Sequence, residues 1–254
     1  MGDSVDGGGA RFGGRTVDLY KVVFRNNSAF SGKGGGVMSE TKAHLTLRNC
    51  VFVDNKAAYG GALAGAGAGA TVHVISSTFE GANRALNEGG CIYLGGSCAM
   101  TLNNTNIKEC VSRSHGGGAS TRDNSFLTVM GGVVIDRCES LEGNGGGVQM
   151  GGLRLDVLVP DQNAYMVVQN NKARRGGGVS AMGIVNFGGP ARTVVQGNSA
   201  SENGGGVYGF SSFARLKIEP GHTLSIENNL AVNDGGGLFL SHGGKRRECV
   251  YTCF

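Results

Sequence analysis

One stretch decides the fold: residues 24–37 read FRNNSAFSGKGGGV, and residues 52–63 read FVDNKAAYGGAL. In both copies a phenylalanine is followed three positions later by asparagine, and alanine comes two positions after that. A glycine cluster and an apolar residue follow. Two such similar copies indicate an internal repeat, whose period must be established before any other feature is interpreted.

The repeat extends over the whole chain. Alignment on the last glycine of each cluster gives steps of 27, 25, 29, 28, 29, 31, 28 and 31 residues. A second column, of Asn or Cys, precedes each cluster from the second onward, and a small residue follows it two positions later. The glycines are Gly9, Gly36, Gly61, Gly90, Gly118, Gly147, Gly178, Gly206 and Gly237, and the anchor residues are Asn27, Asn55, Asn83, Cys110, Cys138, Asn171, Asn198 and Asn229.

Apolar residues lie at spacings of two around these columns, as in Val22 and Phe24 before Asn27. This period is typical of a strand with one buried face, and the helical period of 3.6 is absent. We therefore predict an all-β, right-handed parallel β-helix of about eight coils of about 28 residues, with three short strands in each coil. The right hand follows from the rule for crossovers between parallel strands.

The repeat resembles that of the chlamydial polymorphic outer membrane proteins. Residues 24–27 and 52–55 match their Phe-x-x-Asn motif, and residues 60–63 match their Gly-Gly-Ala-aliphatic motif. The resemblance implies a pectin lyase-like β-helix that is secreted or displayed at the cell surface and acts in adhesion. Most other copies are degenerate, with GGGV in place of the second motif.

Composition excludes several other classes. Glycine is abundant, at 48 residues with only three prolines, but lacks the strict period of collagen. The net charge of +4 is scattered along the chain, which does not favour nucleic-acid binding. No apolar stretch is long enough for a transmembrane helix. We predict no cofactor and no metal.

The best candidate for catalysis is a cluster of four charged residues. Lys108 and Glu109 occupy the same two columns as Asp136 and Arg137 in the next coil, so stacking places opposite charges side by side. A carbohydrate-active β-helix needs convergent carboxylates or a carboxylate beside a cation, and these residues are weak candidates for that role. We favour the alternative that they are structural ion pairs.

The histidines give no recurring pattern. His44, His73, His115, His222 and His242 fall in different columns, and none has a repeated carboxylate partner, so we interpret them as core or loop residues. A zinc site from His242, Cys249 and Cys253 lacks a fourth ligand.

The seven cysteines suggest disulfides in an oxidising compartment. Cys110 and Cys138 replace the anchor Asn in consecutive coils, so they are candidates either for a disulfide or for a buried ladder of thiols. Cys91 and Cys98 flank a Gly-Gly turn, and Cys249 and Cys253 are separated by three residues near the end. These two pairs are further disulfide candidates.

Two outward-facing apolar stripes are expected beyond the glycine clusters. One contains Met38, Leu63 and Ile92, and the other contains Tyr208 and Phe239. We expect each to be covered by a loop or to serve as a partner surface. The run AGAGAGA at residues 64–70 is interpreted as a flat or flexible loop that lengthens one corner.

The sequence therefore predicts a β-helix domain at residues 1–244 and a cysteine-containing tail at residues 245–254. Because a glycine cluster begins at Gly7, we expect the domain to continue into a longer array. The predicted function is an adhesive or structural module without catalytic activity, whose partner is a host or cell-surface protein or a glycan. The alternative is a carbohydrate-active or sugar-binding β-helix. The predicted location is the cell surface, the outer membrane or the extracellular space.

Overall fold

The computed structural model describes residues 6–151, 154–158, 165–189, 191–211 and 214–241. Within these residues the chain forms 33 strands, and each coil contributes one strand to each of four parallel sheets, here named A to D. Each interior strand pairs with the strands four places before and after it, which is the connectivity of a solenoid. The predicted all-β parallel solenoid is confirmed.

The strands of each sheet succeed one another along the rod. Sheet A contains β1 (Ala10–Phe12), β5 (Val37–Ser39), β9 (Leu63–Ala66), β13 (Ile92–Gly95), β17 (Ala119–Thr121), β21 (Val148–Met150), β25 (Val179–Ala181), β29 (Val207–Gly209) and β33 (Leu238–Leu240). Sheet B contains β2 (Thr16–Tyr20), β6 (His44–Arg48), β10 (Thr71–Ile75), β14 (Ala99–Asn103), β18 (Phe126–Val129), β22 (Arg154–Leu158), β26 (Ile184–Gly188) and β30 (Arg215–Ile218). Sheet C contains β3 (Val23–Arg25), β7 (Val51–Val53), β11 (Thr78–Glu80), β15 (Thr105–Lys108), β19 (Val133–Asp136), β23 (Tyr165–Gln169), β27 (Arg192–Gln196) and β31 (Thr223–Glu227). Sheet D contains β4 (Ser28–Lys33), β8 (Lys56–Tyr59), β12 (Arg84–Glu88), β16 (Val111–Ser112), β20 (Glu139–Ser140), β24 (Lys172–Ala173), β28 (Ser199–Ala200) and β32 (Leu230–Ala231).

The sequence did not predict the fourth strand of each coil, which belongs to sheet D. Its later members are only two residues long, which is too short for alternation to be visible. Its inward position is the column of small residues, and Ala57, Ala85 and Ser112 are fully buried there. The coil therefore has four strands instead of three.

In two coils, the observed register of sheet A differs by one residue from the alignment predicted from the sequence. Val37 pairs with Leu63, and Leu63 pairs with Ile92. Ala62 and Cys91 therefore occupy the position of the third glycine, Gly36, instead of the position after it. The alignment was wrong there because these two coils replace the third glycine with another residue.

The core is a continuous stack of identical positions. Phe24, Phe52 and Phe79 stack ring on ring, with centroid separations of 5.0 Å and 4.6 Å. Leu45 and Leu47 of sheet B face the same core and are fully buried. Because neighbouring coils repeat at one strand spacing, about 4.8 Å, like side chains pack on like side chains along the rod.

Each glycine of a cluster meets a different constraint. Gly34 has φ +68°, a conformation that side chains disfavour. A Cβ on Gly35 would lie 2.2 Å from the carbonyl oxygen of Gly61 in the next coil, and one on Gly36 would lie 3.0 Å from the Phe52 ring. The cluster is therefore a corner where the backbone turns and adjacent coils approach most closely.

The anchor asparagines form a buried ladder. The Asn55 side-chain oxygen accepts hydrogen bonds from the backbone N–H and the side-chain amide of Asn27, both at 3.0 Å. The Asn55 amide donates to the Phe24 carbonyl at 2.9 Å and to the Asn83 side-chain oxygen at 3.1 Å. The same pattern links Asn171, Asn198 and Asn229, and it is interrupted where Cys110 and Cys138 replace Asn.

Candidate functional site

Three of the four charged residues singled out in the sequence, Glu109, Asp136 and Arg137, contact one another, and Asp136 also contacts a neighbour. Lys108 and Asp136 are in register, and Arg137 donates to Glu109 at 3.0 Å. Asp136, only 3 % exposed, pairs with Arg137 at 2.5 Å and accepts a hydrogen bond from Asn170 at 3.0 Å. These contacts form a network of ion pairs and hydrogen bonds around the buried Asp136 carboxylate. That the four residues are structural instead of catalytic stays a prediction.

The disulfide pairing differs from each of the expected pairs. Cys91 is bonded to Cys110, with their Cα atoms 5.4 Å apart, whereas Cys50, Cys98 and Cys138 are buried free thiols. The candidate pairs Cys110–Cys138 and Cys91–Cys98 are therefore not formed in the structure. Burial raises the pKa of Cys98 and of Cys138 to about 12, which keeps both thiols protonated and unreactive at neutral pH.

The register explains the pairing. The third residue of each glycine cluster faces the next anchor residue along the chain. For example, a Cβ added to Gly118 would lie 3.4 Å from Cys138 Sγ. Cys91 occupies this position in its own coil, so its side chain meets Cys110. Stacked anchors such as Cys110 and Cys138 instead point in the same direction, which does not suit a disulfide.

Two described histidines, half-buried His115 and buried His222, are hydrogen-bonding groups. His115 Nδ1 accepts the backbone N–H of Asn144 at 3.1 Å, and burial lowers the pKa of His115. A ring nitrogen of His222 lies 3.0 Å from the Thr193 hydroxyl, and burial lowers its pKa as well.

The described residues contain no group of three or more His, Cys, Asp or Glu side chains suited to a metal ion. His242, Cys249 and Cys253, like the predicted tail at residues 245–254, lie outside the described residues. The described part of the chain also has no helix with the length and hydropathy needed to cross a bilayer.

The outer face of sheet A carries the two apolar stripes, one of them with corrected members. Leu63 and Ile92 face the core, and the stripe contains Met38, Ala64 and Tyr93 instead, because of the one-residue register shift. Its members are buried, and Tyr59 packs against them with its ring 5.1 Å from that of Tyr93.

The second stripe is formed as expected. Tyr208 and Phe239 are in register, and their rings stack at 5.6 Å. Phe210 stacks on Tyr208 at 5.3 Å, and the Arg175 guanidinium lies 5.7 Å from the Tyr208 ring. The outer face of sheet A therefore carries aromatic rings at Tyr93 and, four and five strands further along the sheet, at Tyr208 and Phe239.

A groove of about 490 Å³ opens beside the first stripe, at the corner between sheets A and B. Its size is within the range of small-ligand sites. The lining residues are Asp6, Gly13, Gly14, Lys33, Met38, Glu40, Thr41, Ala66, Gly67, Tyr93, Gly95, Gly96 and Asp123.

The groove exists because two adjacent coils carry small residues where the flanking coils carry long ones. Ser39, Gly65, Leu94 and Thr121 are in register in four successive coils. The residues that follow them, Glu40, Ala66, Gly95 and Arg122, form the next column. Ala66 and Gly95 leave a gap between Glu40 and Arg122. Tyr93 lies over this gap, since a Cβ on Gly95 would meet its hydroxyl at 2.9 Å.

The carboxylates on the groove wall already have partners. Glu40 binds Arg11 at 2.8 Å, and Asp6 accepts the backbone N–H of Lys33 at 2.7 Å. Asp123 accepts the backbone N–H of Gly96 at 2.9 Å. The carboxylates are therefore held as oriented hydrogen-bond acceptors.

A partly buried ion pair lies at the far end of the groove. Arg122 binds Glu88 through two hydrogen bonds of 2.7 Å and 2.5 Å, and Ser120 donates to Glu88 at 3.0 Å. Burial, together with the negative charges of Glu88 and Asp123, raises the pKa of Tyr93 to about 12. The Tyr93 hydroxyl is therefore neutral across the physiological range and acts as a hydrogen-bonding group.

The sequence contained a signal for this groove that its interpretation missed. In the run AGAGAGA, Ala64 and Ala66 belong to β9, and Gly67 turns the chain with φ +119°. Gly65 faces inward, where a Cβ would meet Cys98 Sγ at 2.6 Å. The small residues of this run leave space on one side of the groove. That effect depends on which residues the neighbouring coils place in register with them.

The model of a family described as right-handed β-helix region matches residues 5–107. Comparison with curated proteins and with solved structures gives no match. Beyond the matched residues, the same four-sheet coil continues to Leu240. The chain is a right-handed parallel β-solenoid of about eight turns.

Proposed function

We propose that this right-handed β-helix is a non-catalytic binding module of a secreted or surface-displayed protein, in which the solenoid is a rigid scaffold for adhesion. The observation that carries the proposal is the state of its charged side chains. In both candidate regions, the groove and the cluster around Asp136, the carboxylates are held by arginines or by backbone and side-chain N–H groups.

Paired carboxylates suit recognition better than acid–base chemistry. A general acid or base must be free to exchange a proton with the substrate. Glu40 and Asp136 instead bind guanidinium groups, at 2.8 Å and 2.5 Å. Such groups give a fixed pattern of acceptors, which supports binding.

The disulfide supports an oxidising location. Cys91 and Cys110 are both fully buried and replace two residue types that most other coils keep, Gly and Asn. Disulfides of this structural kind form in secreted and surface proteins and are rare in reducing compartments. Secretion or surface display accounts for the paired substitution.

Similarity to the repeats of polymorphic outer membrane proteins supports the same proposal. The Phe-x-x-Asn motif has a structural meaning here, because Phe24 and Phe52 stack in the core and Asn27 and Asn55 form the ladder. We propose that the chain belongs to this type of adhesive repeat array and meets a host or cell-surface protein or glycan.

The competing candidate is a carbohydrate-active β-helix, which the presence of the groove favours. The two proposals differ in turnover. We expect the purified protein to leave pectic and alginate polymers intact, as measured by release of reducing ends and of unsaturated products. Turnover that disappears when Glu40 is replaced by Gln would overturn the non-catalytic module.

A further inference from the structure

The groove between Glu40 and Asp123 has a shape and a lining that select a chemical class of ligand. We infer that it binds an uncharged oligosaccharide segment, lying along the rod with its hydroxyl groups toward the carboxylates and its C–H faces toward the small residues Ala66, Gly67 and Gly95. This inference rests on the proposed binding function and gives that function a site.

The length of the groove suits a short extended chain. Thr41, Gly67, Gly96 and Asp123 occupy successive coils in the column beside Glu40. The three steps between Thr41 and Asp123, at about 4.8 Å each, span about 14 Å. A compact ligand would leave much of this length empty, whereas a linear chain of linked rings fills it.

The accessible floor is made of small residues. Met38 and Tyr93 lie beneath it and are only 2 % and 9 % exposed, whereas Ala66 is half-buried. Gly67 and Gly95 add no side chains, so a ring can approach the backbone closely. Pyranose rings present C–H faces that make van der Waals contacts with such a surface.

The wall offers a mixture of donors and acceptors at fixed positions. Asp6, Glu40 and Asp123 present carboxylate oxygens, and Thr41 and Tyr93 present hydroxyls that both donate and accept. Because N–H groups already orient the carboxylates of Asp6, Glu40 and Asp123, little side-chain entropy is lost when a ligand binds. Vicinal hydroxyl groups satisfy such an array, since each hydroxyl donates to a carboxylate and accepts from a neighbour.

The charge of the wall disfavours acidic polymers. The three carboxylates face a single lining cation, Lys33, and Arg11 compensates only Glu40. A uronate carboxylate in this groove would meet Asp6 or Asp123 at close range, and like charges brought together raise the free energy of binding. A neutral chain meets no such repulsion.

The test measures binding of the full chain to immobilised neutral, acidic and amino-substituted glycans, with affinities then obtained by calorimetry for soluble cello-, manno- and xylo-oligosaccharides and for oligogalacturonate. The main variant is Ala66→Tyr, which fills the groove from a half-buried, outward-facing position. Its matched control is Thr101→Tyr, a half-buried, outward-facing position in the middle of β14 on sheet B. Thermal unfolding of each variant reports whether it is folded.

We expect a neutral glycan to bind, Ala66→Tyr to weaken that binding by about tenfold or more, and Thr101→Tyr to leave it unchanged. Asp123→Asn, which keeps an acceptor and tolerates the left-handed backbone at φ +54°, should weaken binding only severalfold. Affinity should change little between low and high salt.

Three results would overturn the inference: no neutral glycan binds, binding is unaffected in a folded Ala66→Tyr protein, or binding requires an amino or carboxylate group on the glycan. These results leave the non-catalytic module intact. Conversely, cleavage of a bound neutral glycan would end the non-catalytic proposal while supporting the assignment of the groove.

Discussion

At the scale of single residues, buried polar side chains in this rod are tolerated where they repeat. Asn55 is fully buried, yet its amide bonds to the coils on both sides. A buried amide would otherwise cost free energy comparable to a lost hydrogen bond. The ladder therefore makes each asparagine depend on its neighbours, and it fixes the register of successive coils.

Asn55→Ala should lower the free energy of unfolding by about 3 kcal/mol, because the Phe24 carbonyl and the Asn27 amide lose buried partners. Asn106→Ala, a partly exposed position on the outer face of sheet C, is the control and should have little effect. Urea unfolding followed by circular dichroism measures both. Equal midpoints for the two variants would show that the ladder contributes nothing.

His115 makes stability depend on pH. Burial lowers its pKa in the folded state below the ordinary value of 6.5, so the unfolded chain takes up a proton more readily. The stability conferred by the neutral ring is complete above about pH 6.5 and is lost as the pH falls through the folded-state pKa. Protonation of Nδ1 would also remove the acceptor for the Asn144 N–H.

We expect the urea midpoint of the wild-type protein to fall between about pH 8 and about pH 5, and His115→Asn to fall less steeply. His73→Asn, on an exposed site of sheet B, should match the wild type. A residual slope should persist in His115→Asn because burial also lowers the pKa of His222. A His115→Asn slope as steep as the wild-type slope would contradict this account.

At the scale of elements, the glycine corners fix how closely coils stack. Gly35→Ala places a methyl group 2.2 Å from the Gly61 carbonyl oxygen and 2.5 Å from that of Lys56, both backbone atoms that move only if the coil moves. We expect this variant to lose several kcal/mol of stability or to fail to fold. Gly13→Ala, whose new Cβ meets only the Glu40 side chain at 3.3 Å, should remain close to wild type in thermal unfolding. Similar melting temperatures would contradict close packing at the corner.

The sequence predicted these corners well because glycine and asparagine recur in phase with apolar residues, so the solenoid follows from periodicity alone. It did not predict the true register at Ala62 and Cys91, where a substituted third glycine moved the alignment by one residue. That error hid both the Cys91–Cys110 pairing and the stripe of Met38, Ala64 and Tyr93. The run AGAGAGA was the only signal for the groove, and the groove itself could not be predicted, because it depends on which small residues coincide across coils rather than on any motif within one coil.

At the scale of the whole molecule, a rod in which each coil contacts only its neighbours has stability that is largely local. The aromatic stack, the asparagine ladder and the disulfide each stabilise particular coils of the rod. The disulfide closes a loop between residues 19 positions apart, at the point where the ladder is interrupted. It therefore substitutes for hydrogen bonds that the ladder lacks there.

Reduction of the disulfide should accordingly open the middle of the rod first. We expect hydrogen exchange to accelerate in β12 to β17 after reduction, because the free energy of local unfolding falls there by about 3 kcal/mol. Strands β23 to β28 should keep their protection. The variant with Cys91→Gly and Cys110→Asn restores the residues that most other coils carry, and its exchange pattern should not respond to reductant. Mass spectrometry of peptides after timed deuteration measures all three cases. Uniform acceleration along the chain would show instead that the coils unfold as one cooperative unit and that the disulfide stabilises the rod globally.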